Sequence, residues 1–435
     1  MKAWILIFAA LLTLASCDSD TPARQRAHHL ADSTGPVTVA VAWPLKLGKA
    51  SLAQGVDLAV EEINHEGGVL NGRPLKILYK DDASSLSKGR LVAQEIADDL
   101  DVAAVIGHLN TYITVPASQI YERAGLVMIT PGASGQKLTE RGAKLVFRSL
   151  PGNRDQGRQI GDYAAAQGYK SVAIYYIKND YGIDLANYFE QRAHELGITI
   201  ADRRSYNMGG DNHAALLAEW AAFLKTDAVF LCGSLPESAE ILRDARAAGL
   251  KVPVFGAAGL DSPDLIRLGG DSVEGTVVFA LFNAGDPRPE ARAFSARFRQ
   301  RFGTEPDSTA AQGYDAVRLL AHAMKQAGSI VPAKVAAALR GTRDYRGVTG
   351  VSTFSATGDP VSKPLAKVIV KGGRFVYFEN SPPAAGTGSQ SGSANSGSEH
   401  IFSKIRGQSV IFPGRETAFR PSARVRDSGS FSAVR

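Results

Sequence analysis

The stretch that decides the fold is "VAAVIGHLNTYITVPASQIYERAGLVMITPGASG", residues 102–135. Its first and last apolar runs, "VAAVIG" and "LVMIT", are typical of buried strands, and "VPASQIYERAG" between them has a helical pattern. Gly125 follows the last helical turn, where glycine commonly ends a helix. A strand, a helix and a second strand at this spacing predict a parallel β-α-β unit.

The same alternation of strands and helices extends outward in both directions. The strands "VTVAVA" (37–42) and "LKILYK" (75–80) precede this stretch, and a second set begins near Pro151 with "SVAIYYI" (171–177) and "AVFLCG" (228–233). The predicted fold class is therefore α/β, with parallel sheets that carry helices on both faces. A chain of 435 residues is too long for one ordinary core and favours two or more domains.

The two sets of strands resemble each other at one point. "AAVIGHLNT" (103–111) and "DAVFLCGSLPE" (227–237) each give a buried strand that ends in glycine, then polar residues, then the start of a helix. Ligands of open α/β sheets bind beyond the carboxyl ends of the strands. Two similar lobes with matching strand ends facing each other are therefore expected to form a ligand-binding cleft.

The amino-terminal segment predicts export. Lys2 precedes the apolar run "AWILIFAALLTLA" (3–15), which is too short to span a bilayer and suits a secretory signal. The segment "LASC" ends at Cys17 and resembles the lipobox of bacterial lipoproteins, in which the cysteine carries the lipid. A plain signal peptide is the alternative. We expect a signal peptide over 1–17 with lipidated Cys17, and a polar tether over 18–35.

Composition and charge exclude several classes of function. The chain is 44% hydrophobic and 21% charged, as in a soluble globular protein. Its net charge is +6, but residues 401–435 alone contain seven basic and two acidic side chains, so the remainder is close to neutral. The charge therefore gives no reason to expect nucleic-acid binding. Residues 381–435 begin with Pro, Gly and Ser and are predicted to be disordered.

Catalytic interpretations of Ser134 fail on spacing. A nucleophile elbow needs Gly-x-Ser-x-Gly, whereas here the second glycine follows the serine directly, and only His108 and His213 remain as candidate bases. A phosphate loop is also disfavoured, because Trp43 and Ala50 occupy two of its required positions. We expect no enzyme activity, no cofactor and no metal. Backbone groups at the strand ends, helped by small hydroxyls, predict a site that holds a ligand without chemistry.

A family resemblance sharpens this interpretation. From Val37 to Phe378 the chain resembles the leucine/isoleucine/valine-binding group of type I periplasmic binding proteins. The resemblance implies two Rossmann-like lobes joined by three crossovers, which close on a ligand by hinge motion and deliver it to an ATP-driven permease. It implies lobe 1 over 36–151 and 280–349, and lobe 2 over 152–279 and 350–380. The segments that carry it are "GVDLAVEEIN", "YKDDASS", "VIGHLNT", "PASQIYERAGLVMITPGAS", "LTERG", "FRSLPGNRDQG", "NDYG", "ILRDARAAGL" and "GYDAV".

The resemblance also implies how a ligand is held. The α-carboxylate of an amino acid would meet the hydroxyls and backbone N–H groups of Thr111 and Ser134, and its ammonium would meet the carbonyl of Gly132. Tyr181, in "NDYG", would close over the ligand from the second lobe. Asn110, beside Thr111, matches one position of a disulfide that the family has and this chain lacks.

Other positions depart from the family pattern. Ala258 stands where a glutamate would pair with the ammonium, and Ser234 stands where the second lobe would carry a tyrosine. Trp43 is unusually large for a residue near the first strand end, and we expect Trp43, Asn110 and Ser234 to belong to the ligand-binding site as well. Because a buried ammonium without a counter-charge is costly, either Asp261 takes that role or the ligand is not a simple α-amino acid.

The predicted function follows from the lobes, the export signal and these residues. We expect a monomeric solute-binding subunit of an ABC importer, in the periplasm and anchored by lipid to the inner membrane. Its partners would be the permease subunits and a small ligand: an amino acid, an amide or a small carboxylate. A ligand sensor that signals to a membrane partner without transport is the alternative.

Overall fold

The computed structural model describes residues 21–46, 51–210 and 212–377. The strands are β1 Val37–Trp43, β2 Leu75–Asp81, β3 Val102–Gly107, β4 Val127–Thr130, β5 Val146–Arg148, β6 Ser171–Ile177, β7 Thr199–Tyr206, β8 Ala228–Cys232, β9 Val254–Gly256, β10 Val277–Ala280, β11 Tyr345–Gly347, β12 Gly350–Ser352, β13 Ala366–Val370 and β14 Phe375–Tyr377. The helices are α1 Pro22–Asp32, α2 Ser51–His65, α3 Leu86–Asp98, α4 Thr111–Arg123, α5 Asn153–Ala166, α6 Asp180–Glu195, α7 Ala214–Phe223, α8 Glu237–Ala247, α9 Pro263–Gly269, α10 Pro289–Phe302, α11 Ser308–Ala327 and α12 Pro332–Gly341.

The first lobe is built on a parallel sheet with the strand order β2-β1-β3-β4-β5. Alternate residues of β1 belong to different cores: Val39 and Val41 pack in the core with helices α2 and α10 to α12, and Ala40 and Ala42 pack in the core with α3 and α4. Strands covered on both faces need apolar side chains at every position, which explains the continuous apolar runs in the sequence.

The second lobe repeats this arrangement in a sheet with the order β14-β13-β10-β9-β8-β6-β7. Strands β6 to β10 are parallel, and β13 and β14 are added antiparallel at one edge. Val229 and Leu231 face one core, while Phe230 and Cys232 face the other. The α/β fold class with two lobes and parallel sheets is confirmed.

The chain crosses between the lobes three times, after β5, after β10 and after β12. Lys363 lies on the third passage and is buried, and its Nζ donates to the backbone oxygen of Ser149 on the first passage at 2.8 Å. It also donates to Thr349 Oγ1 at 2.9 Å and to Ser352 Oγ at 3.3 Å. Three oxygen acceptors thus surround the ammonium group, and two passages are joined.

The limit of lobe 1 in the structure differs from the expected limit at residue 349. Strand β12 lay beyond the expected limit of lobe 1 at residue 349, but it pairs with β11, and Phe354 packs edge-on against Phe147 of lobe 1. The turn at Val348 and Thr349 is held by Asp315, which accepts both backbone N–H groups at 2.8 Å. These contacts keep the chain on lobe 1 until after Phe354.

The expected tether over 18–35 contains helix α1. Thr21 caps its start, and Arg26 is fully buried against lobe 1. The Arg26 guanidinium donates to the backbone oxygens of Ala124 at 3.0 Å and Val102 at 2.9 Å, and it also donates to those of Asp99 and Ala97. The polar composition of residues 18–35 predicts a free tether, but one of its polar residues, Arg26, is buried and donates to four backbone carbonyls.

Three predicted segments lie outside the described residues: the signal peptide with Cys17, residues 18–20, and the tail over 381–435. Within the described part of the chain, no helix combines the length and the apolar character needed to cross a membrane.

Candidate functional site

A cavity of about 620 Å³ lies where the carboxyl ends of the strands of both lobes meet. All eight residues that the sequence predicted to bind ligand line it: Trp43, Asn110, Thr111, Gly132, Ser134, Tyr181, Ser234 and Asp261. They come from the ends of β1, β3, β4, β6, β8 and β9. The strand-end rule therefore brings together residues that are far apart in sequence.

The start of helix α4 forms one part of the lobe 1 wall. Asn110 is the N-cap residue, and its Oδ1 accepts a hydrogen bond from the hydroxyl of Ser84 at 2.9 Å. Thr111 is only 3% exposed, and its Oγ1 accepts from the backbone N–H of Gly135 at 3.2 Å. The Thr111 hydroxyl therefore retains its proton for a ligand acceptor.

The loop after β4 forms the adjacent part of the lobe 1 wall and is fixed from behind. Thr130 Oγ1 accepts from the backbone N–H groups of Gly132 at 3.2 Å and Ala133 at 3.0 Å. The carbonyl of Ser134 accepts from Arg148 Nη1 at 2.5 Å and from the backbone N–H of Asn153 at 2.8 Å. The loop main chain is thus held in place by its own lobe and the start of the next, while the Ser134 side chain lines the cavity.

Arg148 is fully buried, and burial lowers the pKa of its guanidinium. The carboxylate of Asp359 lies 2.6 Å from Arg148 Nε and opposes that effect. The guanidinium also donates to Thr139 Oγ1 at 2.7 Å. One buried charge therefore supports the Ser134 loop and ties it to the third passage between the lobes.

Trp43 closes the lobe 1 wall beside Gly132. A Cβ on Gly132 would lie 2.7 Å from Trp43 Cη2 and 2.9 Å from the backbone of Leu109, so only glycine fits there. Gln312, on α11, also lines the cavity, and its Oε1 accepts from the Ser149 hydroxyl at 3.4 Å. Within the described chain, Trp43 Nε1 and Gln312 Nε2 are buried donors with no hydrogen-bond partner.

On the lobe 2 wall, Tyr181 lies at the start of α6, where Asn179 Oδ1 accepts its backbone N–H at 3.1 Å. Burial raises the pKa of Tyr181 well above its ordinary value, so the hydroxyl keeps its proton. That hydroxyl accepts from the backbone N–H of Gly259 at 3.3 Å. A Cβ on Gly259 would lie 2.0 Å from the carbonyl oxygen of Gly233, so the two strand-end loops touch through their main chains.

Asp261, the acid that could replace the family glutamate, already accepts a hydrogen bond from the protein backbone. Ala258 begins a short 3₁₀ turn that lines the cavity and ends just before Asp261. Asp261 Oδ2 accepts the backbone N–H of Leu281 at 2.9 Å. Asp261 therefore links the end of β9 to the passage after β10, whatever it contributes to the cavity.

Sequence reasoning missed Glu237 and the apolar part of the wall. Glu237 is the first residue of α8, is 7% exposed, and accepts the backbone N–H of Gly209 on Oε1 at 2.9 Å. Its position after β8 matches that of Thr111 after β3, and this repeat was visible in the sequence. The apolar lining comprises Leu109, Tyr112, Leu150, Met208, Leu235, Leu268 and Leu281.

The site lacks the arrangement that acyl transfer would need. Neither His108 nor His213 lines the cavity. His108 is fully buried between Asp82, with 2.7 Å between Nδ1 and Oδ2, and Tyr121. Among the described residues, no group of three His, Cys, Asp or Glu side chains could hold a metal ion. Hydroxyls on both walls and carboxylates on the lobe 2 wall suit reversible binding of a small polar molecule.

Known proteins that resemble this chain over most of its length are binding proteins for small molecules. The periplasmic binding protein family matches residues 36–374. A Leu/Ile/Val-binding protein homolog 1 from Brucella suis is 32% identical over 334 residues, which cover 76% of this chain and 88% of the relative. The leucine-, isoleucine-, valine-, threonine- and alanine-binding protein of Pseudomonas aeruginosa is 32% identical, with 75% of this chain and 85% of the relative covered.

A solved structure agrees with these relatives. The ABC transporter substrate-binding protein from Desulfitobacterium hafniense in complex with Leu is 37% identical, with a TM-score of 0.72. The match covers 79% of this chain and 100% of that one. The family consists of solute-binding proteins and not of enzymes. The chain therefore belongs to the periplasmic binding protein family, among the substrate-binding proteins of branched-chain amino acid ABC transporters.

Proposed function

We propose that this protein is an extracytoplasmic solute-binding lipoprotein of an ABC importer that takes an amino acid with an apolar side chain. The observation that carries the proposal is the single cavity lined by all eight predicted residues from both lobes. The hydroxyls of Thr111 and Ser134 line it from lobe 1, and the carboxylates of Glu237, Asp261 and Asp264 line it from lobe 2. A zwitterion placed across the cavity would match both walls.

On lobe 1, the hydroxyls of Thr111 and Ser134 would donate to the ligand carboxylate. Both residues are buried, so these hydrogen bonds to a charged group would form in a site with little water, where they are strongest. The carbonyl of Gly132 would accept from the ammonium group. Asn110 and Trp43 would shape the wall around them.

The apolar lining supports the choice of side chain. Leu109, Leu150, Leu235 and Leu281 offer an aliphatic surface to whatever part of the ligand lies between the charged ends. The ligands named for the relatives, leucine and its branched-chain neighbours, have side chains of this kind. We therefore propose a branched-chain amino acid as the ligand of this protein.

Hinge closure would bring lobe 2 onto the ligand. Tyr181 and Ser234 line the cavity from strand ends of lobe 2, so rotation about the three passages would move them toward Thr111 and Ser134. Closure on a ligand predicts stabilisation, because a ligand that binds only the folded protein raises its apparent stability.

A thermal-shift screen tests the ligand class. Leucine, isoleucine and valine should raise the melting temperature at millimolar concentration, whereas benzoate and short amides should raise it less. Isothermal titration with the best ligand then gives the affinity. A shift by aromatic acids or amides alone would contradict the proposed ligand class.

We further propose that Cys17 carries the lipid and holds a monomer on the periplasmic face of the inner membrane, where it meets the permease subunits. The lipobox-like "LASC" of residues 14–17 supports this anchor. Cys17→Ser should move the protein from the membrane to the soluble fraction on cell fractionation. Unchanged membrane association of that variant would contradict the anchor.

A further inference from the structure

The lobe 2 wall contains three carboxylates, and they are not equivalent. Asp264 forms an ion pair with Arg267 at 2.8 Å, and both residues line the cavity. Asp261 accepts the backbone N–H of Leu281 at 2.9 Å. Glu237 is 7% exposed and uses only Oε1, while Oε2 is buried with no hydrogen-bond partner in the described part of the chain. Glu237 thus combines burial with an unused oxygen.

That unused oxygen calls for a cationic partner. Removing a carboxylate from water is costly unless hydrogen bonds or an opposite charge replace the water. The start of α8 and the backbone N–H of Gly209 compensate Glu237 in part. No ion pair among the described residues includes Glu237, so none of those residues pairs a full positive charge with its carboxylate. A protonated amine in the cavity would supply one.

Glu237 lines the same cavity as Thr111 and Ser134 but comes from the other lobe. Thr111 is the fourth residue after Gly107 at the end of β3, and Glu237 is the fourth after Gly233, which directly follows β8. Tyr112, next to Thr111, is half-buried; burial raises the pKa of its hydroxyl, and the charges of Asp82 and Glu237 add to the effect. Glu237 and Tyr112 line the same cavity, so the Glu237 carboxylate shares that cavity with the lobe 1 wall.

We propose that Glu237 binds the ammonium group of the ligand and so takes the role of the acid that is missing at Ala258. This inference rests on the proposed function, since it needs an amino-acid ligand. The two walls then divide the ligand: Thr111 and Ser134 hold its carboxylate, and Glu237 holds its amine. Molecules of the same shape without the amine should bind poorly.

Titration of Glu237→Gln with two ligands tests the assignment. Leucine and 4-methylpentanoate, which is leucine without its amine, should be titrated into wild type, Glu237→Gln and Glu240→Gln. Glutamine retains an oxygen for Gly209, so the fold should survive. Leucine binding should weaken about 30-fold or more, as expected for a buried charge pair that loses one partner. Binding of 4-methylpentanoate should be unchanged or stronger, and Glu240→Gln, one turn along the same helix, should behave as wild type.

Three results would overturn the proposal in distinguishable ways. A loss of less than about threefold for leucine in Glu237→Gln, with a large loss in Asp261→Asn, would assign the amine to Asp261. An equal loss for both ligands would make Glu237 structural. If wild type binds no amino acid at all, the proposed function fails first, and the role of Glu237 fails with it. Should Glu237→Gln not fold, Glu237→Asp, which keeps the charge on a shorter side chain, must show the same loss selective for leucine.

Discussion

The loops that follow β3 and β8 occupy the same place in their lobes but carry opposite chemistry. In lobe 1, the residues "GHLNT" (107–111) lead to a buried hydroxyl at Thr111. In lobe 2, the residues "GSLPE" (233–237) lead to a buried carboxylate at Glu237. The backbone arrangement is repeated, so under the proposed function the fold would set where the ligand lies, and these side chains would set which end of the ligand faces each lobe.

The two walls also differ in how firmly they are held. The lobe 1 loop after β4 is fixed by Thr130 and by the buried Arg148. The lobe 2 loops touch mainly through the close approach of Gly259 to Gly233 and the hydroxyl of Tyr181. Lobe 1 would therefore be the preorganised half of the proposed site, onto which lobe 2 would close by the proposed hinge motion.

Among the substitutions that test this difference between the lobes, replacing Arg148 should change the free energy of unfolding most. Arg148→Met would remove the cation that faces the Asp359 carboxylate and one of the two hydrogen bonds to the Ser134 carbonyl. Loss of one member of a buried ion pair typically costs about 3–5 kcal/mol of unfolding free energy. Urea denaturation measures that loss. Arg154→Met removes an exposed ion pair with Glu140 and should cost less than about 1 kcal/mol; equal losses in the two variants would mean that lobe 1 is not held from within.

Removing the hydroxyls of lobe 1 should weaken binding without unfolding the protein. Thr111→Ala combined with Ser134→Ala should lower ligand affinity by about 2–4 kcal/mol, the sum of two hydrogen bonds to a charged group. Isothermal titration measures the change. Ser87→Ala removes an exposed hydroxyl of the same lobe and serves as the control. An affinity unchanged in the double variant would move the ligand carboxylate away from this wall.

The joint between the lobes should respond to pH through Lys363. Burial lowers the pKa of this lysine from 10.5 to about 8 in the folded protein. Between those pH values the unfolded chain binds a proton that the folded chain does not, so rising pH favours folding. The unfolding free energy of wild type should therefore gain about 1.4 kcal/mol per pH unit relative to Lys363→Met. Lys334→Met, at an exposed lysine, should show no such difference, and parallel pH profiles for wild type and Lys363→Met would refute the assignment.

The smallest effect is expected from a substitution at the contact between Gly259 and Gly233 in lobe 2. Gly259→Ala places a Cβ against the Gly233 carbonyl, and overpacking of this kind costs about 1–3 kcal/mol. Thermal unfolding should record the loss. Gly341→Ala, where no atom lies within 4 Å of the added Cβ, should be neutral. If Gly259→Ala were neutral too, the lobe 2 loops would be looser than the structure indicates.

The sequence predicted the fold and the positions of the site for one physical reason. Continuous apolar runs identify buried parallel strands, and the residues after the strands of one sheet must meet at one edge of it, as Trp43 and Ser134 do in lobe 1 and Ser234 and Asp261 do in lobe 2. Glu237 also follows a strand end, but the sequence predicts it only as the start of a helix. A carboxylate next to a proline suits the start of a helix as well as a ligand contact. Which oxygen is left unpaired depends on contacts with Gly209, far away in the chain.

Helix α1 was missed for a different reason. A polar segment without periodicity gives no sign of packing, and its attachment depends on Arg26 reaching carbonyls about 70 to 100 residues away. The limit of lobe 1 after Phe354 was missed likewise, since it depends on Asp315 holding the turn at Val348. Single buried polar side chains can thus decide where a segment belongs.

The docking of α1 limits how far an anchored molecule can move. Arg26 is bonded to the carbonyls of Val102 and Ala124, which lie at the amino ends of β3 and β4, on the side of lobe 1 opposite the cavity. If Cys17 carries a lipid, the chain from there to Pro22 spans at most about 18 Å. The base of lobe 1 would then rest near the bilayer, with the cleft opening away from it. If a membrane partner contacted the cleft side, release of α1 would let the protein turn toward it, and the buried contacts of Arg26 and Leu30 would contribute to the free-energy cost of that release.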